Sequence, residues 1–112
     1  MKRVYIAGPM SDMPAQYLAN CARLLTAWRE INAAGFAGYC PAADMLLGIG
    51  SERPFDVESY RAWSMAWLEV ADVVYVVAAA HADGRYSEGV DAEVRRAVEM
   101  GIPVVFTVED IR

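Results

Sequence analysis

Four short apolar runs along the chain are separated by longer stretches with helical spacing. We predict strands over Val4–Gly8, Phe36–Cys40, Asp72–Ala79 and Pro103–Val108. The third and fourth runs (DVVYVVAA and PVVFTV) are β-branched and apolar at both odd and even positions. This composition is typical of strands that are buried on both faces of a parallel sheet.

Three helices are predicted between the strands. Their ranges are Gln16–Ala34, Val57–Ala71 and Glu88–Met100. Gly35 and Gly101 follow the first and the third, as helix C-termini favour. The order β-α-β-loop-α-β-α-β predicts one α/β domain over residues 1–112. We expect a doubly wound sheet of four to five mainly parallel strands, with helices on both faces.

Two segments in the first half of the chain carry further expectations. The apolar face of the first helix is expected to hold Leu18, Cys21, Leu24, Leu25 and Trp28. Cys21 is then a buried thiol, and two cysteines in the whole chain do not make a disulfide framework. The stretch Pro41–Asp56 is long for a connection in a compact domain, so we expect a functional loop or lid.

The charge balance limits the class of partner. Fifteen acidic and ten basic residues give a net charge of −5, so no basic field attracts a nucleic-acid polymer or an anionic membrane. A mononucleotide needs only local N–H donors and is compatible with this charge. No signal peptide is recognisable, and no apolar run reaches the roughly 18 residues of a membrane span. We therefore expect a cytoplasmic protein.

Glu93 does not fit the pattern of its helix. On a helical wheel with Val90 at zero and about 100° per residue, the apolar side also holds Val94, Ala97, Val98 and Gly101. The opposite, solvated side holds Asp91, Arg95 and Glu99. Glu93 falls at about 300°, at the edge of the apolar side. A helical glutamate ordinarily lies in solvent, but a partly desolvated one has a raised pKa and greater nucleophilicity. We interpret Glu93 as a nucleophile.

The start of the same helix is a candidate phosphate site. The Ser87 hydroxyl, the free N–H groups of the first turn and the small Gly89 together suit an anion. Taken alone, Ser87 could be an ordinary helix cap. Glu93 follows about one and a half turns later, a distance suited to the phosphate and the anomeric carbon of one nucleotide.

These residues resemble a known family. The segment Val4–Met10 (VYIAGPM), the pattern Ser87-x-Gly89-x-x-x-Glu93, then Ala97 and Gly101-Ile102-Pro103-Val104 resemble the nucleoside 2-deoxyribosyltransferase superfamily. The chain looks most like a small phage and bacterial branch, and the resemblance covers nearly all of it in order and spacing. It implies a flavodoxin-like fold and a homodimer or higher oligomer.

The resemblance also implies roles for individual residues. Glu93 would attack the anomeric carbon of a nucleoside or nucleotide, and the glycosyl-enzyme would be hydrolysed or passed to another base. Tyr5 would orient Glu93 by a hydrogen bond. The sugar and base would be walled by Gly8, Pro9 and Met10. The Ser87-x-Gly89 start is closer to the 2'-deoxynucleoside 5'-monophosphate N-hydrolases, which favours a nucleotide substrate and hydrolysis.

One position departs from the family. Ser64 stands where relatives usually carry an aspartate on the second helix as general acid for the leaving base. A serine cannot protonate a base at neutral pH, so another acid substitutes or the activity is slow or lost. Three aspartates on loops at the carboxyl edge are candidates: Asp44, Asp56 and Asp83. Asp44 is also a candidate substrate contact.

Two other functions stay open. A non-catalytic nucleotide-binding or sensor module is favoured by Ser64 and opposed by Glu93 and Tyr5. Cleavage of NAD at its nicotinamide riboside bond needs no general acid. His81, the one histidine, has no Cys or His neighbours that could complete a metal site, so we expect neither metal nor cofactor. Arg85 could reach a phosphate or lie in solvent.

Overall fold

The chain folds into a parallel sheet with helices on both sides. We describe it from a computed structural model that covers residues 1–8, 14–53, 55–77 and 88–112; for residues 14–17, 45, 48 and 88 the backbone alone is described. The strands in this part of the chain are β1 (Arg3–Ala7), β2 (Ala37–Tyr39), β3 (Val73–Val76) and β4 (Val104–Val105). The α-helices are α1 (Pro14–Ala33), α2 (Val57–Leu68) and α3 (Glu88–Glu99). Two 3-10 helices, Pro41–Gly48 and Glu109–Ile111, follow β2 and β4.

The strand order places the topological switch point of the sheet beside β1, between β1 and β3. The described strands all run parallel in the order β2-β1-β3-β4. Tyr5 of β1 lies opposite Tyr39 of β2 and Val74 of β3. The chain therefore moves from β1 to one side and returns to the other, and ligands bind at the carboxyl ends beside such a point. The predicted doubly wound α/β sheet is confirmed.

Side chains alternate along β1 and divide the core into two layers. Val4 and Ile6 pack with Leu24 of α1 on one face of the sheet. Tyr5 and Ala7 point to the other face. The second layer also contains buried residues of α2, β3 and α3, namely Leu68, Val74, Val76, Val90 and Ala97. A tyrosine in the middle of a buried strand thus shares a layer with α2 and α3.

The buried face of α1 differs from the expected one. Leu18 is 68% exposed and Leu25 is 38% exposed, so the prediction that both lie on the core face is wrong. The face that meets the sheet is centred on Leu24, and Cys21 is buried beside it, as predicted. Leu24 occupies the space next to Gly8, where any Cβ would overlap with it. The end of β1 and α1 thus approach each other closely at Gly8, and Leu24 is the α1 residue that packs there.

Several element ends also differ from the predicted ranges. β4 contains only Val104–Val105 instead of Pro103–Val108, because the chain bends after Val105 and then enters the second 3-10 helix. The predicted loop Pro41–Asp56 opens with a 3-10 helix, since a proline at the first position loses no needed N–H bond. Residues 78 and 79, the end of the third predicted strand, lie outside the described residues.

The helix ends agree better with the sequence pattern. Gly35 and Gly101, which follow α1 and α3, have positive φ angles of 95° and 72°. This left-handed conformation is common just after a helix C-terminus and is one that glycine adopts without strain. α2 ends at Leu68 rather than at Ala71.

Among the described helices, none has both the length and the apolar character needed to cross a bilayer.

Candidate active site

The helix α3 buries a different face from the one that its apolar residues indicated. Val90 and Ala97 are buried as expected, but Val98 is 67% exposed, so its expected place in the core is wrong. Glu93 faces inward instead, and its Oε2 atom is shielded from solvent. The packed face is therefore rotated away from Val98 and toward Glu93. Packing against the layer that contains Tyr5, rather than apolar content alone, therefore sets the orientation of the helix.

Burial changes the acidity of the Glu93 carboxyl. The residue as a whole is half-buried, but the loss of hydration at its carboxyl raises the pKa from 4.5 to about 8, and the Tyr5 hydroxyl offsets only part of this rise. At neutral pH the carboxyl is therefore mostly protonated. Once ionised, it carries a poorly hydrated charge, a property that increases the nucleophilicity of a carboxylate.

The Tyr5 hydroxyl is the polar neighbour of this carboxyl. Tyr5 is 1% exposed. Burial, followed by the charge of Glu93, raises the pKa of its phenol above the usual value, so the group stays a neutral donor. The hydroxyl and the carboxyl interact, yet they do not have the geometry of a formed hydrogen bond. Within the described part of the chain, Tyr5 Oη and Glu93 Oε2 are both buried without a hydrogen-bond partner.

Two such atoms side by side are unusual in a folded protein. Leaving a buried polar group unpaired costs about 1–3 kcal/mol, and each exception in a native structure requires an explanation, of which a catalytic role is one. Tyr5 Oη can donate a hydrogen bond to a ligand oxygen. Glu93 Oε2 can form a hydrogen bond with a ligand hydroxyl or attack an electrophilic carbon. The arrangement is therefore suited to a ligand that is both polar and electrophilic.

Tyr39 and Asp44 extend the site toward β2. The Tyr39 and Tyr5 rings pack with their centroids 5.7 Å apart, because the parallel register sets the two residues side by side. The Tyr39 hydroxyl donates a 2.8 Å hydrogen bond to Asp44 Oδ2, which belongs to the 3-10 helix after β2. Asp44 was expected near the site, whereas sequence reasoning missed Tyr39. The signal for Tyr39 was its place at the carboxyl end of a predicted strand.

Ser64 of α2 is shared by the two tyrosines. Its hydroxyl interacts with the phenols of both Tyr5 and Tyr39 and lowers the pKa of each, although burial outweighs this effect. The pKa of the Tyr39 phenol is raised mainly by burial and, to a smaller extent, by the hydrogen bond to Asp44. The position at which the resemblance implies an aspartate therefore holds a hydroxyl that lies near both phenols but does not hydrogen-bond Tyr5.

Asp56, another candidate acid, has a structural role. Its side chain caps α2 by accepting a 2.8 Å hydrogen bond from the Ser59 N–H. This bond lowers the pKa of the exposed Asp56 carboxyl, which makes it a poorer proton donor. Asp56 has no described contact with Tyr5, Ser64 or Glu93.

The structure describes only some of the other predicted site residues. Gly89 is exposed in the first turn of α3, where a Cβ would meet no atom within 4 Å. Gly8 follows β1, and its α-carbon faces Leu24 and Val77. Their functional roles stay predictions. Six other named residues lie outside the described ones: Pro9, Met10, His81, Asp83, Arg85 and Ser87.

An apolar groove of about 200 Å³ lies next to the tyrosines and is lined by residues of β1, β2 and the end of α2. Tyr39 and Trp67 form one wall, with their ring centroids 5.7 Å apart. Arg3 and Ala37, which begin β1 and β2, are also in the lining, whereas Glu93 is not. The groove therefore extends toward the amino ends of the strands. It shares Tyr5 and Tyr39 with the polar cluster that these two residues form with Ser64, Asp44 and Glu93.

Solved structures with the same fold include an enzyme. The 2-deoxyribosyltransferase of Bacillus psychrosaccharolyticus has a TM-score of 0.61 and 18% identity, over 91% of this chain and 69% of that one. A conserved protein of Enterococcus faecalis V583 has a TM-score of 0.62 and 20% identity; the match covers 95% of this chain but only 62% of that one, less than two thirds of its length. No family model and no curated protein matches this sequence. The chain thus has a nucleoside 2-deoxyribosyltransferase-like fold, which confirms the fold that the resemblance implied.

Proposed function

We propose that this protein cleaves or transfers the N-glycosidic bond of a nucleoside or nucleoside 5'-monophosphate, with Glu93 as nucleophile and Tyr5 as the residue that orients it. One observation carries the proposal: Tyr5 Oη and Glu93 Oε2 are buried neighbours that lack hydrogen-bond partners among the described residues. The likeness in fold to a 2-deoxyribosyltransferase supports the same class of reaction.

The environment of Glu93 suits attack on a sugar carbon. An ionised carboxyl oxygen bonds to the anomeric carbon while the C–N bond breaks, and the electron pair of that bond leaves with the base, which takes up a proton. Water then adds to the anomeric carbon and returns a proton to Glu93, or a second base takes the sugar. Because burial disfavours the charged carboxylate, formation of the neutral ester relieves that cost.

The remaining predicted residues divide between the two ends of the substrate. Ser87, Gly89 and the first turn of α3 would hold a 5'-phosphate. The sugar and base would lie against Gly8, Pro9 and Met10. A sugar hydroxyl would then provide the hydrogen bonds that the Tyr5–Glu93 pair lacks. The phosphate contact favours a monophosphate over a free nucleoside.

Release of free base tests the proposal. Wild-type protein and Glu93→Gln are incubated with deoxyribonucleoside and ribonucleoside monophosphates, free nucleosides and NAD, and the products are separated by chromatography. We expect base release from a nucleoside or its monophosphate, reduced roughly 10³-fold or more in Glu93→Gln. Asp91→Asn, on the exposed side of the same helix, is the control and keeps the wild-type rate. Mass spectrometry after an acid quench should find the sugar on the peptide that contains Glu93.

Other results would assign a different function. Release from NAD alone would identify a glycohydrolase of that dinucleotide. Nucleotide binding in a thermal-shift assay, without base release from any substrate, would refute the enzyme and favour a sensor module, which is the function that Ser64 supports.

A further inference from the structure

The outer edge of β2 carries backbone groups that the sheet itself does not use. Among the described strands, β2 lies at one end of the sheet and pairs with β1. The Ala37 N–H donates a 2.9 Å hydrogen bond toward β1, to the Lys2 carbonyl. Because neighbouring residues of a strand present their backbone groups to opposite sides, Gly38 presents its N–H and its carbonyl outward. An open edge of this kind is a template for pairing with another strand.

Two side chains of α1 occupy both backbone groups of Gly38. Trp28 donates a 2.8 Å hydrogen bond from its Nε1–H to the Gly38 carbonyl. The Gly38 N–H donates a 2.9 Å hydrogen bond to Asn32 Oδ1. Trp28 and Asn32 are four residues apart and therefore lie on the same side of the helix. Together with Gly38 they form what we call the edge contact, which uses the groups that a further strand would need.

The edge contact requires glycine at position 38. A Cβ there would lie 2.9 Å from Trp28 Cδ1 and 3.1 Å from Asn32 Oδ1, and both distances are shorter than an ordinary van der Waals contact. With hydrogen in place of a side chain, α1 comes close enough to β2 for its side chains to reach the backbone at the edge.

Outward groups on either side of Gly38 are bonded within the chain as well. The Phe36 N–H donates a 3.3 Å hydrogen bond to the Ile31 carbonyl, and the Cys40 carbonyl accepts a 3.0 Å hydrogen bond from the Ala43 N–H. These two bonds join backbone groups and persist when side chains change. The bonds at Gly38 are made by side chains, so substitutions can remove them.

We infer that Trp28 and Asn32 prevent β2 from pairing with β2 of a second copy of this chain. In an antiparallel pair, two opposed residues exchange both of their N–H···O=C bonds. A two-fold axis uses the same residue on both sides, so it would pair Gly38, the central residue of this three-residue strand, with its counterpart. The two groups needed for this exchange are the two that α1 occupies. The edge contact is therefore autoinhibitory, and the inference does not depend on the proposed function.

Removing both side-chain bonds should make the protein associate through β2. Trp28→Phe removes the N–H donor and keeps an aromatic ring, and Asn32→Ala removes the acceptor. We expect sedimentation equilibrium of the double variant to show, with rising concentration, a species of twice the wild-type mass. Asn32→Asp is the control, since it keeps an acceptor oxygen for the Gly38 N–H and should keep the wild-type mass.

Hydrogen exchange of the Gly38 N–H, measured by NMR, identifies the surface involved. We expect exchange to be at least about tenfold faster in Asn32→Ala than in wild type, and the double variant to regain protection as its concentration rises. Association without this protection would place the new contact on another surface and overturn the inference. A double variant that keeps the wild-type mass would overturn it too. Asn32 is exposed, so Asn32→Ala leaves the core intact, and an unchanged exchange rate in it would refute the edge contact even where the double variant fails to fold.

Discussion

Replacing Glu93 by glutamine should stabilise the protein at neutral and alkaline pH. In the unfolded chain the carboxyl has its ordinary pKa of 4.5, and burial raises it to about 8 in the folded protein. The folded state therefore binds this proton more tightly than the unfolded state. The stabilisation that results is complete below about pH 4.5 and is lost as the pH rises to about 8.

The size of the effect follows from the difference between the two pKa values. A rise from 4.5 to about 8 is about 3.5 pH units, which at about 1.4 kcal/mol per unit amounts to about 5 kcal/mol above pH 8. At pH 7 about 3 kcal/mol has already been lost, because the unfolded chain has ionised and the folded protein mostly has not. Glutamine has nearly the shape of the protonated carboxyl and does not titrate. The Glu93→Gln variant should therefore keep the stabilisation of about 3 kcal/mol that the wild type loses by pH 7. This is a large share of the usual folding free energy of about 5–15 kcal/mol.

Urea denaturation of both proteins, followed by the fluorescence of the three tryptophans, measures this difference. The free energy of unfolding of Glu93→Gln minus that of wild type should be nearly constant below pH 4.5 and should grow by about 3 kcal/mol up to pH 7. Other titrating groups cancel in the subtraction. Asp91→Asn, exposed on the same helix, should give a flat difference. A Glu93→Gln difference that varies by less than about 0.5 kcal/mol from pH 5 to 9 would show that water reaches the carboxyl and would remove the basis of its reactivity.

Three further predictions concern the same site. The kcat/KM of base release should rise about tenfold per pH unit and level off above about pH 8, since Glu93 must ionise; a flat profile from pH 6 to 9 would contradict this. Gly89→Ala fills open space in the first turn of α3, so it should raise stability by about 0.5–1 kcal/mol. If a phosphate binds there, the same variant should raise KM roughly tenfold for monophosphates and leave nucleosides unaffected; equal effects on both would argue against a phosphate at Gly89. Gly8→Ala should destabilise the protein by about 1–3 kcal/mol, because the new Cβ overlaps the buried Leu24; an unchanged urea midpoint would refute this account of the β1–α1 contact.

The general architecture could be predicted because it depends on patterns that repeat along the chain. The run Val73–Val77 is apolar at every position except Tyr75, and residues of both parities are buried or partly buried against the two layers of the core. Such a run, short and rich in β-branched residues, is typical of a strand covered on both faces. Together with the alternation of strands and helices, it was enough to predict a parallel doubly wound sheet.

The rotation of the helices could not be predicted in the same way. Counting apolar residues places Val98 in the core and Glu93 at its edge, yet Val98 is 67% exposed and Glu93 Oε2 is buried. An apolar residue on the surface costs little, whereas the contact surface of α3 is determined by what lies beneath it. Tyr5 is part of that surface, and its hydroxyl gives the Glu93 carboxyl a polar neighbour within an apolar layer.

The polar cluster was only partly predictable because its members are distant in sequence and come together through the topology. Glu93 drew attention since it breaks the pattern of its own helix, and positions that break local rules are often functional. Tyr39 breaks none: a tyrosine at the end of a strand is ordinary. Its significance arises from the pairing of β1 with β2, which sets it beside Tyr5, and from the 3-10 helix that brings Asp44 back to its hydroxyl. A site of this kind becomes visible only when the residue that breaks a rule is seen together with ordinary residues that contact it.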